Sequence, residues 1–283
     1  MNTTPLPLLP MLAPLLLLTA CGGPRIEQEL KSSLALPGDC RVLHIEIPTG
    51  AVTVEAGEPG RIDVDAITGR IAANDAALAR LAEIDFVPAL VAGDAAGVYR
   101  FVLPGPPPDL DPRETAMIFR GLLRVPPEVA IRVHTARGDL AARGMRAAVA
   151  LETEAGDLLL QDVAGPAEAS TEHGNCTVTG QRGALRLRTG EGKIVAYLEA
   201  IDVGGVDLAT TGTAIVCHVP PDAAFELDAR VEESEEGKLS IRDAFGVPVR
   251  QEGQGHVARG TVNGGGPTLR LSVGRGWISV VGR

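Results

Sequence analysis

From residue 128 onward, apolar and polar positions alternate in short runs that restart every 18 residues: TARGDL at 135, TEAGDL at 153, TEHGNC at 171 and TGEGKI at 189. Two residues before each Thr stand Val133, Leu151, Ala169 and Leu187. Two after each Gly stand Leu140, Leu158, Cys176 and Ile194, and two further on Ala142, Leu160, Val178 and Ala196. Polar residues (His134, Glu152, Ser170, Arg188) fall between them, so one face of every strand is apolar. A unit of this size cannot enclose its own apolar face, whereas stacked units about 4.8 Å apart can. The pattern predicts an all-β chain whose residues 128–283 form a single-stranded β-helix, or β-solenoid, with 18-residue coils and a C-terminal cap. Leu140, Leu158, Cys176 and Ile194 are its expected core ladder. Gly138, Gly156, Gly174 and Gly192 are its expected corners, where positive φ or a tight bend excludes a Cβ.

Upstream, residues 40–127 read as a β-rich section. LHIEIPTGAVTVEAG from 43, RIDVDAI from 61 and VYRFVLP from 98 alternate as strands do. NDAALARLAE (74–83) changes to a helical period, with Asn74 as cap and Leu78 and Leu81 on one face. Residues 104–114 form a proline-rich loop, and AMIFRGLLRV (116–125) reads as a helix turn leading into a strand. The beat breaks after 196 and resumes with shifted spacing near Val206. LRLSVGRGWISVVG (269–282) matches LRLRTGEGKIVAYL (185–198), which makes it the expected last coil, with Trp277 covering the open end.

Residues 6–20, LPLLPMLAPLLLLTA, are apolar and uncharged and precede Cys21. The run has signal-peptide length and is short for a membrane span. Leu18-Thr19-Ala20-Cys21 resembles the bacterial lipobox, although no Lys or Arg precedes it. The resemblance implies cleavage before Cys21, its lipidation, and a firm membrane anchor carrying several acyl chains. Residues 1–20 are then the signal peptide and 21–39 a lipidated tether, on the extracytoplasmic side of the bacterial envelope. Gly22 after the cysteine favours the outer membrane. An ordinary signal peptide with a chance cysteine, or an uncleaved apolar tail, fits the same run.

Composition narrows the function. Aromatics are 3% and Gly 34 of 283 residues, which suits thin layers of small aliphatic side chains better than a bulky enzyme core. A formal charge of −10 without a basic stripe argues against nucleic-acid binding. No Cys-x-x-Cys or His-x-x-His spacing suggests a metal, and no cofactor motif occurs. Cys176 reads as core, and a Cys40–Cys217 disulfide is open. After the corner glycines, Asp139, Asp157, Asn175 and Lys193 share one column, with Glu154 and Glu172 beside it. Carboxylates about 5 Å apart could do acid–base work or hold Ca²⁺. Gly-Asp and Gly-Asn are also ordinary turn dipeptides, and the column ends in a lysine. No Gly-x-Ser-x-Gly elbow is present, so no catalytic residue is assigned.

The order of elements, the Thr-x-x-Gly-Asp-aliphatic coils and the closing NGGGPTLRLSVGRGWISV (263–280) resemble the bacterial "putative adhesin" β-solenoid domain of unknown function. The resemblance spans residues 40–283 and brings no catalytic residues. It implies a non-catalytic envelope lipoprotein that presents a rigid surface to another envelope component, protein or glycan. Two rival expectations are a carbohydrate-active β-helix enzyme, with an acidic cleft where residues 70–130 meet the coils, and a self-assembling scaffold.

Overall fold

The computed structural model describes residues 23–111, 113–234 and 240–282. The apolar segment 6–20 and Cys21 lie outside the described residues. In chain order the first elements are β1 (Arg25–Ala35), β2 (Val42–Thr49), β3 (Val52–Ala56), β4 (Arg61–Ala72), α1 (Asp75–Ala82), β5 (Ala89–Ala92), β6 (Val98–Val102) and β7 (Thr115–Val125). The repeat supplies β8 (Ala130–Arg137), β9 (Leu140–Arg143), β10 (Val149–Ala155), β11 (Leu158–Gln161), β12 (Ala167–His173), β13 (Cys176–Gln181), β14 (Leu185–Glu191) and β15 (Lys193–Leu198). Then come β16 (Val206–Thr210), β17 (Ala214–Val219), β18 (Phe225–Glu233), β19 (Ile241–Asp243), β20 (Val249–Glu252), β21 (Gly255–Val262), β22 (Thr268–Arg275) and β23 (Trp277–Gly282). Among the described residues the fold is all-β with one short helix. Asn74 caps that helix, its side chain accepting from Ala77 N–H at 2.9 Å, and Leu78 and Leu81 are its buried residues.

Two segments differ from the sequence expectation. Residues 25–35, expected within a tether, form β1, antiparallel to β4 over its whole length. Ile26, Leu30 and Leu34 pack on the core from one face, and charged residues take most of the other. Residues 116–125 contain no helical turn; β7 is strand throughout, and Met117, Phe119, Leu123 and Val125 are buried on its inner side. Pairing to β3 on one edge and β4 on the other decides the matter.

The strands make two large mixed sheets, neither closed on itself. The first runs β1-β4-β7-β3-β9-β11-β13-β15-β17-β23-β19, the second β20-β21-β18-β22-β16-β14-β12-β10-β8-β2-β6-β5. Their middles are parallel, while β1 with β4, β4 with β7, β5 with β6 and β21 with both β18 and β20 are antiparallel. In the first sheet Leu140, Leu158, Cys176 and Ile194 are successive register partners. In the second, Val133, Leu151, Ala169 and Leu187 are. Bonds between equivalent positions there span 18 residues. Ile194 then pairs Ile215, because the longer connection after β15 adds residues. These aliphatic files face one another across the inter-sheet space, and nearly all are under 3% exposed.

Chain order and spatial order part at both ends. β2–β3 stack directly on β8–β9, and β6–β7, later in sequence, lie outside them. At the other end β22–β23 slot between β16–β17 and the earlier β18–β19. Residues 269–282 are therefore not the outermost layer. Trp277 lies on an outer sheet face, 43% exposed and in register with Ala214, and covers no open end.

Candidate functional site

The recurring Thr, Gly and Asp form one corner assembly. At Gly138, Gly156, Gly174 and Gly192 an added Cβ would sit 2.0–2.1 Å from the carbonyl oxygen of the glycine one layer below, starting from Gly50. Backbone passes backbone there, with no room for a side chain. Positive φ is secondary, present at Gly138 (138°) and Gly156 (156°) and absent at the other two. The buried hydroxyls of Thr153, Thr171 and Thr189 donate to the carbonyls of Gly138, Gly156 and Gly174 at 3.2, 3.1 and 2.7 Å. Thr210 repeats the contact to Gly192 at 3.0 Å.

The column after the glycines has the same logic. Asp139 Oδ1 accepts from Asp157 N–H, and Asp157 Oδ1 from Asn175 N–H, both at 2.8 Å. Asn175 Oδ1 accepts from Lys193 N–H at 3.0 Å. Each short side chain satisfies a backbone donor of the next layer, as an N-cap satisfies a helix end. Glu154 and Glu172 stand exposed beside this ladder. Among the described residues, no group of three or more His, Cys, Asp or Glu could hold a metal ion.

The sequence missed a second corner. Gly144 and Asp162 follow β9 and β11, and Gly180 sits at the register shift near the end of β13, all in the left-handed region at φ 67°, 53° and 72°. Aspartate at the middle position disguises the column.

The two outer faces differ in chemistry. On the second sheet Glu168, Arg186, Asp207, Arg270 and Asp228 are successive register partners. They are linked at 3.9 Å (Glu168–Arg186), 3.9 Å (Arg186–Asp207) and 3.8 Å (Asp228–Arg270). Arg188 approaches Asp207 at 3.5 Å and Arg259 approaches Asp228 at 3.0 Å. Exposed pairs of this kind contribute about 0–1 kcal/mol each. An open groove of about 640 Å³ crosses this face. On the first sheet the middle outward column reads Thr53, Ala141, Leu159, Thr177, Val195, Val216 and Ser279, without a charge. Beside it Tyr197 and His218 stack, ring centroids 4.4 Å apart and planes 7° apart. These outward positions lie between the inward ladder residues of each repeat, and their lack of charge was the available signal.

A cleft does form where the 70–130 region meets the coils, with a volume of about 480 Å³. Its walls include Ile47, Phe86, Leu103, Met117 and Phe119, and its one lining carboxylate is Glu114. Asp139, Asp157, Glu154 and Glu172 do not line it.

The thiols are unpaired: Cys40, Cys176 and Cys217 are all free, so the Cys40–Cys217 disulfide does not form. Burial pushes the Cys176 thiol up to about 12, helped by nearby Asp157, and burial alone does the same at Cys217. Burial, then Asp39, raises Cys40.

Among the described residues no helix is long and apolar enough to cross a membrane. No family model matches the chain, and no curated protein does. Among solved structures, a crystal structure of a "putative cell adhesion protein" from Clostridium sporogenes is similar at 9% identity and a TM-score of 0.30. The match covers 90% of this chain and 100% of that one. A likeness this distant carries no argument about function.

Proposed function

We propose that the chain is a non-catalytic, lipid-anchored protein of the bacterial envelope, outer membrane favoured. Its parallel layers wind as a β-solenoid and present the uncharged middle column of the first sheet's outer face to another envelope component, a protein or a glycan. The observation that carries this reading is the contrast between faces. The second sheet carries a column of paired charges, while the middle column of the first holds Leu159, Val195 and Val216 half-exposed beside the Tyr197–His218 stack, and the Glu55–Arg143 ion pair of that sheet lies toward one end. An apolar, aromatic-edged strip on a rigid sheet marks interaction surfaces. The lipid anchor rests on the Cys21 motif and is a separate element of the proposal.

Against the carbohydrate-active alternative, Asp139 and Asp157 accept backbone N–H groups of the next layer, and neither they nor Glu154 and Glu172 line the cleft. Against the self-assembling scaffold stand the antiparallel strands at the sheet ends, of which β1 is rich in charge and β5 and β20 are four residues long.

Two experiments test the two elements. Full chain is co-sedimented with washed envelope material, comparing wild type, Val195→Glu/Val216→Glu and Arg186→Gln. The first variant is expected to lose retention and the second to keep it; equal retention of all three overturns the face assignment. For the anchor, Cys21→Ser is expected to abolish labelling by radioactive palmitate and membrane association. Labelling that survives the substitution overturns it.

A further inference from the structure

The 480 Å³ cleft opens at the corner where β2 gives way to β3, under the loop between β6 and β7. Its size falls in the range of small-ligand sites, about 300–1,000 Å³. Apolar side chains from both sheets and the α1–β5 connection line it, including Ile47, Phe86, Met117 and Phe119. A peptide backbone placed among such walls would lose most of its hydrogen bonds, so the interior selects a hydrocarbon.

The charges at the rim select the rest of the ligand. Arg113 and Arg137 both line the cleft, and neither has an ion-pair partner among the described residues. Elsewhere most arginines on this strongly acidic chain are paired, as at Arg186, Arg188 and Arg275. Glu114 is the single opposing carboxylate.

A third guanidinium sits behind the wall. Arg70 is 3% exposed, donates to Ile84 C=O at 2.6 Å and lies 5.6 Å from the centroid of Phe86, the ring that lines the cleft. Its Nε has no partner, and among the described residues it has no ion pair. A buried cation held only by dipoles and a ring raises the local potential, which favours an anion nearby. The overlying loop is tied down by an Arg80–Asp109 ion pair and by Ala73 N–H donating to Glu114 C=O at 2.8 Å.

We propose that this cleft binds a single-chain anionic amphiphile, a fatty acid. Its chain lies against Phe86, Met117 and Phe119, and its carboxylate meets Arg113 and Arg137 at the rim. The proposal does not depend on which face of the sheets meets a partner, nor on lipidation of Cys21.

The test is titration of full-length chain with cis-parinaric acid, followed by displacement with dodecanoate, decanoate and dodecanol. Saturable 1:1 binding is expected. Each two-carbon shortening should weaken displacement about tenfold, and the neutral alcohol should be at least about tenfold weaker than the acid of equal length. Arg113→Gln/Arg137→Gln should erase the preference for acid while leaving dodecanol displacement intact. Ala136→Trp, which fills the cleft from its corner, should abolish both. If the tryptophan variant does not melt cooperatively, the arginine pair decides alone, since both residues are exposed. Absence of displaceable binding overturns the proposal. So does an acid preference that survives the arginine double substitution, or wild-type binding by a folded Ala136→Trp.

Discussion

At Gly174 the constraint is a neighbour's carbonyl: a methyl group would sit 2.0 Å from Gly156 oxygen, so two layers would have to part. Gly174→Ala is expected to destabilise by about 2–4 kcal/mol, seen as a lower urea midpoint at unchanged slope. The aspartate beside it is read through its acceptor oxygen. Asp157→Asn keeps that oxygen and should be close to neutral, whereas Asp157→Ala leaves Asn175 N–H without its partner and should cost about 1–2 kcal/mol. A loss with Asn as large as with Ala, measured in the same melts, would point to a role for the charge itself. The thiols give a third check. With the Cys176 and Cys217 thiols held near 12 and both side chains fully buried, neither should react with a disulfide reagent at pH 8 until the protein unfolds. Cys40, raised but partly exposed, should react slowly before unfolding.

At the scale of elements, the 18-residue beat in the sequence is the same interval that separates layer-to-layer hydrogen bonds, and the inward files from Leu140 to Ile194 follow from it. Periodicity was legible because a parallel register repeats the same environment at every layer. What was not legible lacks that repetition. β1 reads as a charged tether until β4 supplies the edge that pairs it, and Met117 to Val125 reads as a buried segment of either kind until β3 and β4 flank it. The cleft arginines, Arg113 and Arg137, come from a loop and a strand end, close only in space. The Arg80–Asp109 pair makes a prediction of its own. The hydrogen bond from Arg80 holds the Asp109 carboxyl below the ordinary carboxylate range, so the tie is present above the unfolded-chain value and lost as pH falls through the folded one. Limited proteolysis should therefore cut the 104–114 loop faster on acidification below about pH 4 than at neutral pH, and Arg80→Gln should remove most of that pH dependence.

For the whole molecule, the out-of-sequence layering at the ends matters most for how the chain assembles. β18 reaches its place only across β22, and β19 only across β23, although both are made earlier. While the chain lengthens, β16 and β17 offer open edges, and the segment from Phe225 onward has its antiparallel partner β21 but no seat on the stack. Contacts of such long sequence separation form late. Leu271→Asp, which puts a charge in the buried middle of β22, should leave the layers up to β17 resistant to protease while releasing residues 225–262 as an early fragment. Uniform protection across that boundary would show the end to be sealed by other means. Completion of the shaft thus waits on a wedge that arrives last: until residues 268–282 emerge, the growing protein carries exposed strand edges that a chaperone, or a neighbouring nascent copy, would be the first to meet.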